Sequence, residues 1–280
     1  MNIGIVGLGL IGGSMGLDLK ALGHHVLGVS RRESTCKRAI ELGVVDRACV
    51  DLSLLSAADV VVICTPIGAI APTVQQLIPH LSPDAILTDV GSVKAAIIEQ
   101  LSLLWPNFVG GHPMAGKAES GIEVAEFGLF ANRPYVITPT KNTPPTAVLM
   151  VDDLARSLNA NVFRCDPEEH DRAVAWISHL PAMASASLVA ACMRESNPDV
   201  LKLAQNLASS GFRDTSRVGG GNPELGLMMA KYNRGELLRS LLSYRDCLDQ
   251  FICRIDKEDW DGLFEDLQDT NHTRPLFVKD

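Results

Sequence analysis

Apolar runs in the first half of the chain are short and unbroken, and amphipathic stretches separate them. Residues 2–6, 25–29, 60–64, 85–89, 108–110, 135–138 and 161–164 read as strands. Helical patterns occupy 12–22, 34–42 with Ser34 as its N-cap, 71–81, 93–104 and 144–158. Strands that are apolar on both faces and alternate with helices predict a parallel sheet covered on both sides. After Cys165 the pattern changes: apolar residues recur at three- and four-residue spacing, with helices expected at 167–195, 199–208, 223–233, 235–254 and 257–269 and a loose tail at 271–280. Pro181, inside the first of these, predicts a kink or an irregular turn. The expected organisation is an α/β domain over 1–165 and an all-helical domain over 166–280.

The first strand runs into Gly7-Leu8-Gly9-Leu10-Ile11-Gly12, a G-x-G-x-x-G turn that opens a helix. In a dinucleotide-binding unit the first glycine permits the tight turn. The second lets a pyrophosphate approach the backbone, and the third lets helix and strand pack closely. The anion rests on free N–H groups at the helix start, where Leu10 and Ile11 stand. The motif alone is weak; placed between two strands, it predicts a Rossmann-type domain. NAD enzymes carry an acid about twenty residues further on, at the ribose 2′-hydroxyl. This chain instead reads Ser30-Arg31-Arg32-Glu33-Ser34-Thr35. Ser30, Arg31 and Thr35 suit a 2′-phosphate, so NADP is the expected cofactor. The competing reading makes Arg31 and Arg32 solvated strand-end charges, with Glu33 serving NAD.

Composition narrows the partners. The chain has 280 residues, 46% hydrophobic and 21% charged, with a formal net charge of -8, which argues against nucleic-acid or anionic-membrane partners. Its seven cysteines include no CxxC pair and are expected to be free thiols, five of them among apolar neighbours in the core. The apolar start lacks a basic region and carries five glycines between Gly4 and Gly13, unlike a signal peptide. No later run reaches about 18 uninterrupted apolar residues. A cytoplasmic protein is the expectation.

Three further strand ends converge at the carboxyl edge of such a sheet, where ligands bind. They carry Cys64-Thr65-Pro66, then Asp89 with Gly91-Ser92-Val93-Lys94, then Gly110-Gly111-His112-Pro113. Cys64, Thr65, Pro66, Asp89 and Ser92 join the glycine turn as candidate cofactor contacts. Pro113 holds His112 extended, and a histidine there can accept a hydroxyl proton near neutral pH. By itself, a lone histidine after a strand is more often structural. The helical half adds His179 in an apolar stretch, and Arg213 and Arg217 four apart beside Asp214, before three glycines. A surface ion-pair cluster is the plainer reading of those arginines. The other histidines (His24, His25, His80, His170, His272) lack metal-ligand spacing, and no metal is assigned.

GLGLIGGS, TDVGSVK, GGHPMAG, WISHLP and GFRDTSRVGGGNPE, in this order, resemble the prephenate/arogenate dehydrogenase family of tyrosine biosynthesis, and most of all its NADP-dependent arogenate dehydrogenases. The likeness runs from residue 1 to about 260, and GGHPMAG with SHLP is far more specific than the glycine motif. It implies oxidative decarboxylation of L-arogenate to L-tyrosine, with prephenate oxidation as the alternative. It implies catalytic roles for His112 and Ser92, substrate contacts from Arg217 and His179, and a homodimer joined through the helical domains. Gly226 stands where some prephenate-specific members have tryptophan, a departure that favours arogenate. Glu119, Asp214 and Glu224 are the acids that could meet its amine. Two other readings compete. A β-hydroxyacid dehydrogenase would need a site lysine, and Lys202 and Lys231 match no such motif. A module that holds NADP without turnover would not need His112 and Ser92.

Overall fold

A computed structural model describes residues 1–117 and 119–278. Strands β1 (Asn2–Val6), β2 (His25–Val29), β3 (Arg47–Cys49), β4 (Val60–Ile63), β5 (Ile86–Asp89), β6 (Phe108–Pro113), β7 (Pro134–Thr138) and β8 (Asn161–Arg164) form one sheet. Their order is β3-β2-β1-β4-β5-β6-β7-β8. Helices α1 (Leu10–Ala21), α2 (Glu33–Glu41), α3 (Ile67–Leu77), α4 (Ala95–Leu101) and α5 (Pro145–Ser157) accompany it. Both faces are buried, as consecutive residues of β4 show: Val60 and Val62 pack with Met15 and Leu19, and Val61 and Ile63 pack with Ile70 and Leu77. That two-sided burial is why the strands read as continuous apolar runs.

The expected parallel sheet is found with one antiparallel pairing in it. Strands β3 to β6 are parallel, but β7 runs antiparallel to β6, with His112 opposite Val136. A parallel pair requires a crossover, usually a helix. The 114–133 connection contains only a short 3-10 turn, Ile122–Val124, among its described residues. It crosses α1, where Ser14 Oγ accepts from Glu126 N at 3.0 Å and Asp18 accepts from Gly128 N at 2.9 Å. Helix α5 then supplies a true crossover, and β8 lies parallel to β7. Strand β3, a half-exposed edge of three residues with no apolar run, carried no sequence signal. Helix α2 starts at Glu33 with Arg32 as N-cap, not Ser34.

The second half is helical: α6 (Pro167–Val174), a wide π-turn (Ala175–His179), α7 (Leu180–Cys192), α8 (Pro198–Leu207), α9 (Ser210–Ser216), α10 (Pro223–Tyr232), α11 (Arg234–Asp256) and α12 (Trp260–Thr273). The irregularity expected from Pro181 is that π-turn, just before the proline. Pro181 has no N–H to give the preceding turn, and its ring crowds the carbonyl four residues back. Helix α9 is an addition to the expected set, and the supposed tail is helical to Thr273 and continues as a 3-10 turn, Arg274–Leu276.

The continuous stretch Pro167–Cys192 is long and apolar enough to cross a membrane by length and composition, with a mean hydropathy of 1.4 over its most apolar 18 residues. Its polar residues His170, Asp171 and His179 are buried, however, and hydrogen-bonded within the protein. Large apolar side chains elsewhere in this half stay exposed within one chain, among them Leu207, Leu227, Ile252 and Phe264. The cysteines also differ from expectation. Only Cys36 is buried, and Cys192, Cys247 and Cys253 lie exposed on the helical half.

Candidate active site

At the carboxyl edge of the sheet the backbone makes the glycine turn with little freedom. Gly7 has φ +101°, and a Cβ there would lie 2.5 Å from the Cys64 carbonyl oxygen. At Gly12 a Cβ would lie 2.1 Å from the Gly7 oxygen, so α1 can sit this close to β1 only without a side chain. A Cβ at Gly9 would meet nothing within 4 Å, which leaves that side of the turn open. Gly9 caps α1 without a side-chain acceptor, so the first-turn N–H groups, Leu10 and Ile11 among them, remain available to an anion. The Thr65 hydroxyl nearby is buried with no partner. These features fit a dinucleotide's pyrophosphate. Ser30 is half-buried after the last residue of β2, Arg31 is exposed, and Thr35 is half-buried in the first turn of α2. Cys64 and Thr65 are half-buried and Pro66 is exposed beside the turn, and burial pushes the Cys64 thiol up, so it stays protonated.

Asp89 departs from its expected place at the cofactor. It is 0% exposed, and its carboxylate accepts from Gly91 N at 2.8 Å and Gly111 N at 3.2 Å. It also pairs with Lys94 Nζ, which donates to the Gly111 carbonyl at 2.8 Å. A carboxylate so enclosed holds the Gly91–Lys94 loop against β6 rather than reaching a ligand. Burial pulls the Lys94 ammonium below its ordinary value, and Asp89 opposes that.

The same loop carries Ser92, whose Oγ is buried without a partner. His112, on β6, is 8% exposed. Its Nδ1 lies 2.8 Å from Nε2 of His170, on α6, and His170 Nδ1 lies 2.7 Å from Asp171 Oδ1. Asp171 in turn accepts from the backbone N–H groups of Lys94 and Ala95, at 2.7 and 2.9 Å. His112 therefore belongs to a buried chain, and its pKa lies well below the usual histidine value because of burial, then His170, Lys94 and His179. His179 Nδ1 lies 3.2 Å from Asn233 Nδ2, which also donates to the Asp171 carbonyl at 2.7 Å. With Nδ1 accepting, Nε2 carries the proton, and that donor is buried without a partner. Burial holds His179 down at about 4, with Asp171 raising and His170 lowering it. Ser92 Oγ, Thr65 Oγ1 and His179 Nε2 are three of seven buried side-chain atoms without a partner among the described residues, and each is a group that a polar ligand could satisfy.

His170, Asp171 and Asn233 were not among the expected site residues. The available signal was the His-Asp dipeptide ahead of the apolar stretch. Arg213 and Arg217 are exposed; Arg213 pairs with Asp214 at 3.0 Å, and the two do not share one regular helix. Arg217 opens a 3-10 turn, Arg217–Gly220, in which Gly219 N donates to Ser185 Oγ on α7 at 2.8 Å. Neither arginine makes a contact that joins it to the histidine chain within one subunit, among the described residues.

A glycine-turn nucleotide site with a buried histidine at the neighbouring strand end is the arrangement expected of a dehydrogenase, and comparison with known proteins shows that class. Residues 15–164 match the family model for the prephenate dehydrogenase nucleotide-binding domain, and 166–269 match that for its dimerization domain. The chain belongs to the prephenate dehydrogenase family, which includes enzymes named for arogenate. It is 32% identical over 267 residues to the prephenate dehydrogenase of Bacillus subtilis (strain 168), covering 93% of this chain and 71% of that one. Its structure is similar to that of Synechocystis arogenate dehydrogenase, at 56% identity and TM-score 0.89, covering 99% of this chain and 100% of that one. It is also similar to that of A. aeolicus prephenate dehydrogenase in complex with hydroxyphenyl propionate and NAD+, at 27% identity and TM-score 0.94, covering 99% and 98%.

Proposed function

We propose that this chain converts L-arogenate to L-tyrosine by NADP-dependent oxidative decarboxylation. The observation that carries the reading is His112: a buried, neutral imidazole near the end of β6, hydrogen-bonded through Nδ1 to His170, in a site where Ser92 Oγ and His179 Nε2 are buried without partners. When bound, the nicotinamide supplies the acceptor for the hydride that leaves C4 of the ring. His112 takes the C4 hydroxyl proton through Nε2 as the carbonyl develops, with Ser92 Oγ orienting that hydroxyl. The bond from C1 to its carboxylate then breaks, its electron pair enters the ring, carbon dioxide leaves, and the phenolic oxygen recovers a proton. The His179 N–H and the Arg217 guanidinium, with Arg213 beside it, are the proposed partners of the substrate's carboxylates. Ser30, Arg31 and Thr35 are the proposed 2′-phosphate contacts, because no acid occupies the ribose position and Arg31 forms no ion pair among the described residues. The proposed setting is cytoplasmic, as a homodimer through the helical domains, with the boundary between the domains near residue 165.

The alternative is prephenate as substrate, which the names of several relatives support. Gly226 favours arogenate because it replaces the tryptophan that some prephenate-specific members carry; a Cβ there would meet only Met183 Cε, at 3.7 Å. Steady-state kinetics that cross both substrates with both cofactors test the proposal. Arogenate with NADP should give a kcat/KM at least about tenfold above any other pair, an advantage of about 1.4 kcal/mol. A higher value for prephenate or for NAD refutes the corresponding half. His112→Asn should lower kcat by about 10²–10⁴, the range for an acid–base group; retained turnover would remove the mechanism.

A further inference from the structure

We infer that His170 and Asp171 are positioning residues that fix the tautomer of His112 and leave its Nε2 bare and directed to the reacting hydroxyl. This role rests on the catalytic assignment of His112 above, but the geometry that supports it does not. A carboxylate can only accept, so His170 Nδ1, 2.7 Å from Asp171 Oδ1, carries a proton. In a neutral ring the other nitrogen, Nε2, then has none. His112 Nδ1 is 2.8 Å from that bare nitrogen and must be the donor, which leaves Nε2 of His112 as an acceptor. The reverse arrangement, with His170 as imidazolium, would turn Nδ1 of His112 into the acceptor and place its proton on Nε2, where it could not act as a base. Three features work against that reversal. His170 is 2% exposed, and Lys94 lies close enough to act on the neighbouring His112 as a cation. Asp171 also divides its charge among His170 and the N–H groups of Lys94 and Ala95.

The Asp171 carboxylate does a second job in the same motion. By accepting from Lys94 and Ala95 it anchors the start of α4, two to three residues after Ser92. One carboxylate therefore sets both the tautomer of the base and the place of the hydroxyl that works with it. A base held by a hydrogen bond from its far nitrogen, which is itself oriented by a carboxylate, is a general device for keeping an imidazole in its working form.

The tautomer can be read without substrate, from the ¹⁵N shifts of ¹⁵N-histidine-labelled protein assigned by single-site variants. His112 in the wild-type protein should be protonated at Nδ1 and bare at Nε2 at neutral pH; protonation at Nε2 instead would overturn the inference. His170→Phe fills a similar volume without an acceptor. It should lower kcat by about 10–100-fold, the loss typical when a second-layer partner is removed. KM for substrate and cofactor should stay within twofold, and the acid limb of the kcat profile should move. His170→Gln offers a carbonyl oxygen near the position of Nε2 and should recover most of that kcat. Wild-type kcat and pH profile in His170→Phe, or equal losses in the Phe and Gln variants, would also overturn the assignment. If the wild-type protein oxidises neither arogenate nor prephenate, the proposed function fails, while the tautomer measurement still decides this point.

Discussion

Replacing Lys94 by methionine should unfold the protein well below its wild-type melting temperature, and the size of the effect follows from what surrounds the ammonium. Lys94 and Asp89 are both 0% exposed and form an ion pair, and Lys94 also donates to the Gly111 carbonyl at 2.8 Å. Methionine keeps most of the volume and removes the charge. Asp89 then retains only the N–H groups of Gly91 and Gly111, too few for a fully buried carboxylate. Breaking a buried pair by removing one partner costs about 3–5 kcal/mol. Native stability is only about 5–15 kcal/mol. At about 2–4 °C per kcal/mol for a protein of this size class, the melting temperature should fall by about 6–20 °C. Thermal unfolding followed by circular dichroism measures the drop. The double variant Asp89→Asn/Lys94→Met should recover part of it, because no charge is left buried, although Gly91 and Gly111 donate to different carboxylate oxygens and the amide can accept from only one of them. A fall under about 2 °C in Lys94→Met, or a double variant worse than the single one by the sum expected for independent sites, would refute the reasoning.

The acid limb of kcat should lie below the ordinary histidine value of 6.5, because His112 stays neutral, and able to accept a proton, to lower pH. The depressed His112 and His179 contribute stability that is present above pH 6.5 and lost as pH falls through their folded values, about 4 for His179. Each unit of depression is worth about 1.4 kcal/mol, and urea denaturation at pH 7 and pH 4.5 reads the loss, which His179→Gln should reduce. Arg31→Ala should raise KM for NADP about tenfold, the value of a charge-assisted contact at an exposed site, with KM for NAD within twofold; equal changes for the two cofactors would argue against a 2′-phosphate contact. Arg217→Ala should lower kcat/KM by about 1.5–3 kcal/mol, and Arg213→Ala by less, because that guanidinium is exposed and already shared with Asp214; an unchanged KM for substrate in Arg217→Ala would remove it from the site.

What could be read from the chain depended on how local each constraint is. The glycine turn was legible because Gly7, Gly9 and Gly12 answer to neighbours within a few residues and to one adjacent strand end. His112 and His179 were marked by the prolines and glycines around them. His170 was hidden because its meaning depends on His112, 58 residues away, and only the folded sheet and α6 bring the two together. Asp89 was misplaced for the same reason. At the end of a strand it looks like a ligand contact, and only the position of Lys94 and Gly111 shows that it is occupied inward. The antiparallel β7 was missed because strand direction is set by the length and path of the 114–133 connection, not by the apolar pattern within the strand. The loose-tail expectation failed because the polar, turn-rich composition of the last residues masked a helix that continues from α12.

The π-turn at Ala175–His179 changes which residues can share a pocket. His170 and His179 are nine positions apart in one continuous helical stretch. At about 100° per residue, a regular α-helix would place them about 180° apart, on opposite faces. A π-turn takes up one extra residue, so the two histidines behave as if eight positions apart, about 80° around the axis, on a common side. The turn is thus a phase shift written into a helix. Deleting one residue between Ala175 and Ile177 should therefore leave His179 near Asn233, with the two histidines eight positions apart in a regular helix, whereas straightening the turn at unchanged length would swing His179 to the opposite face. The chain carries one residue more than a straight helix needs, and the wide turn is what lets it keep both histidines on one side at that length.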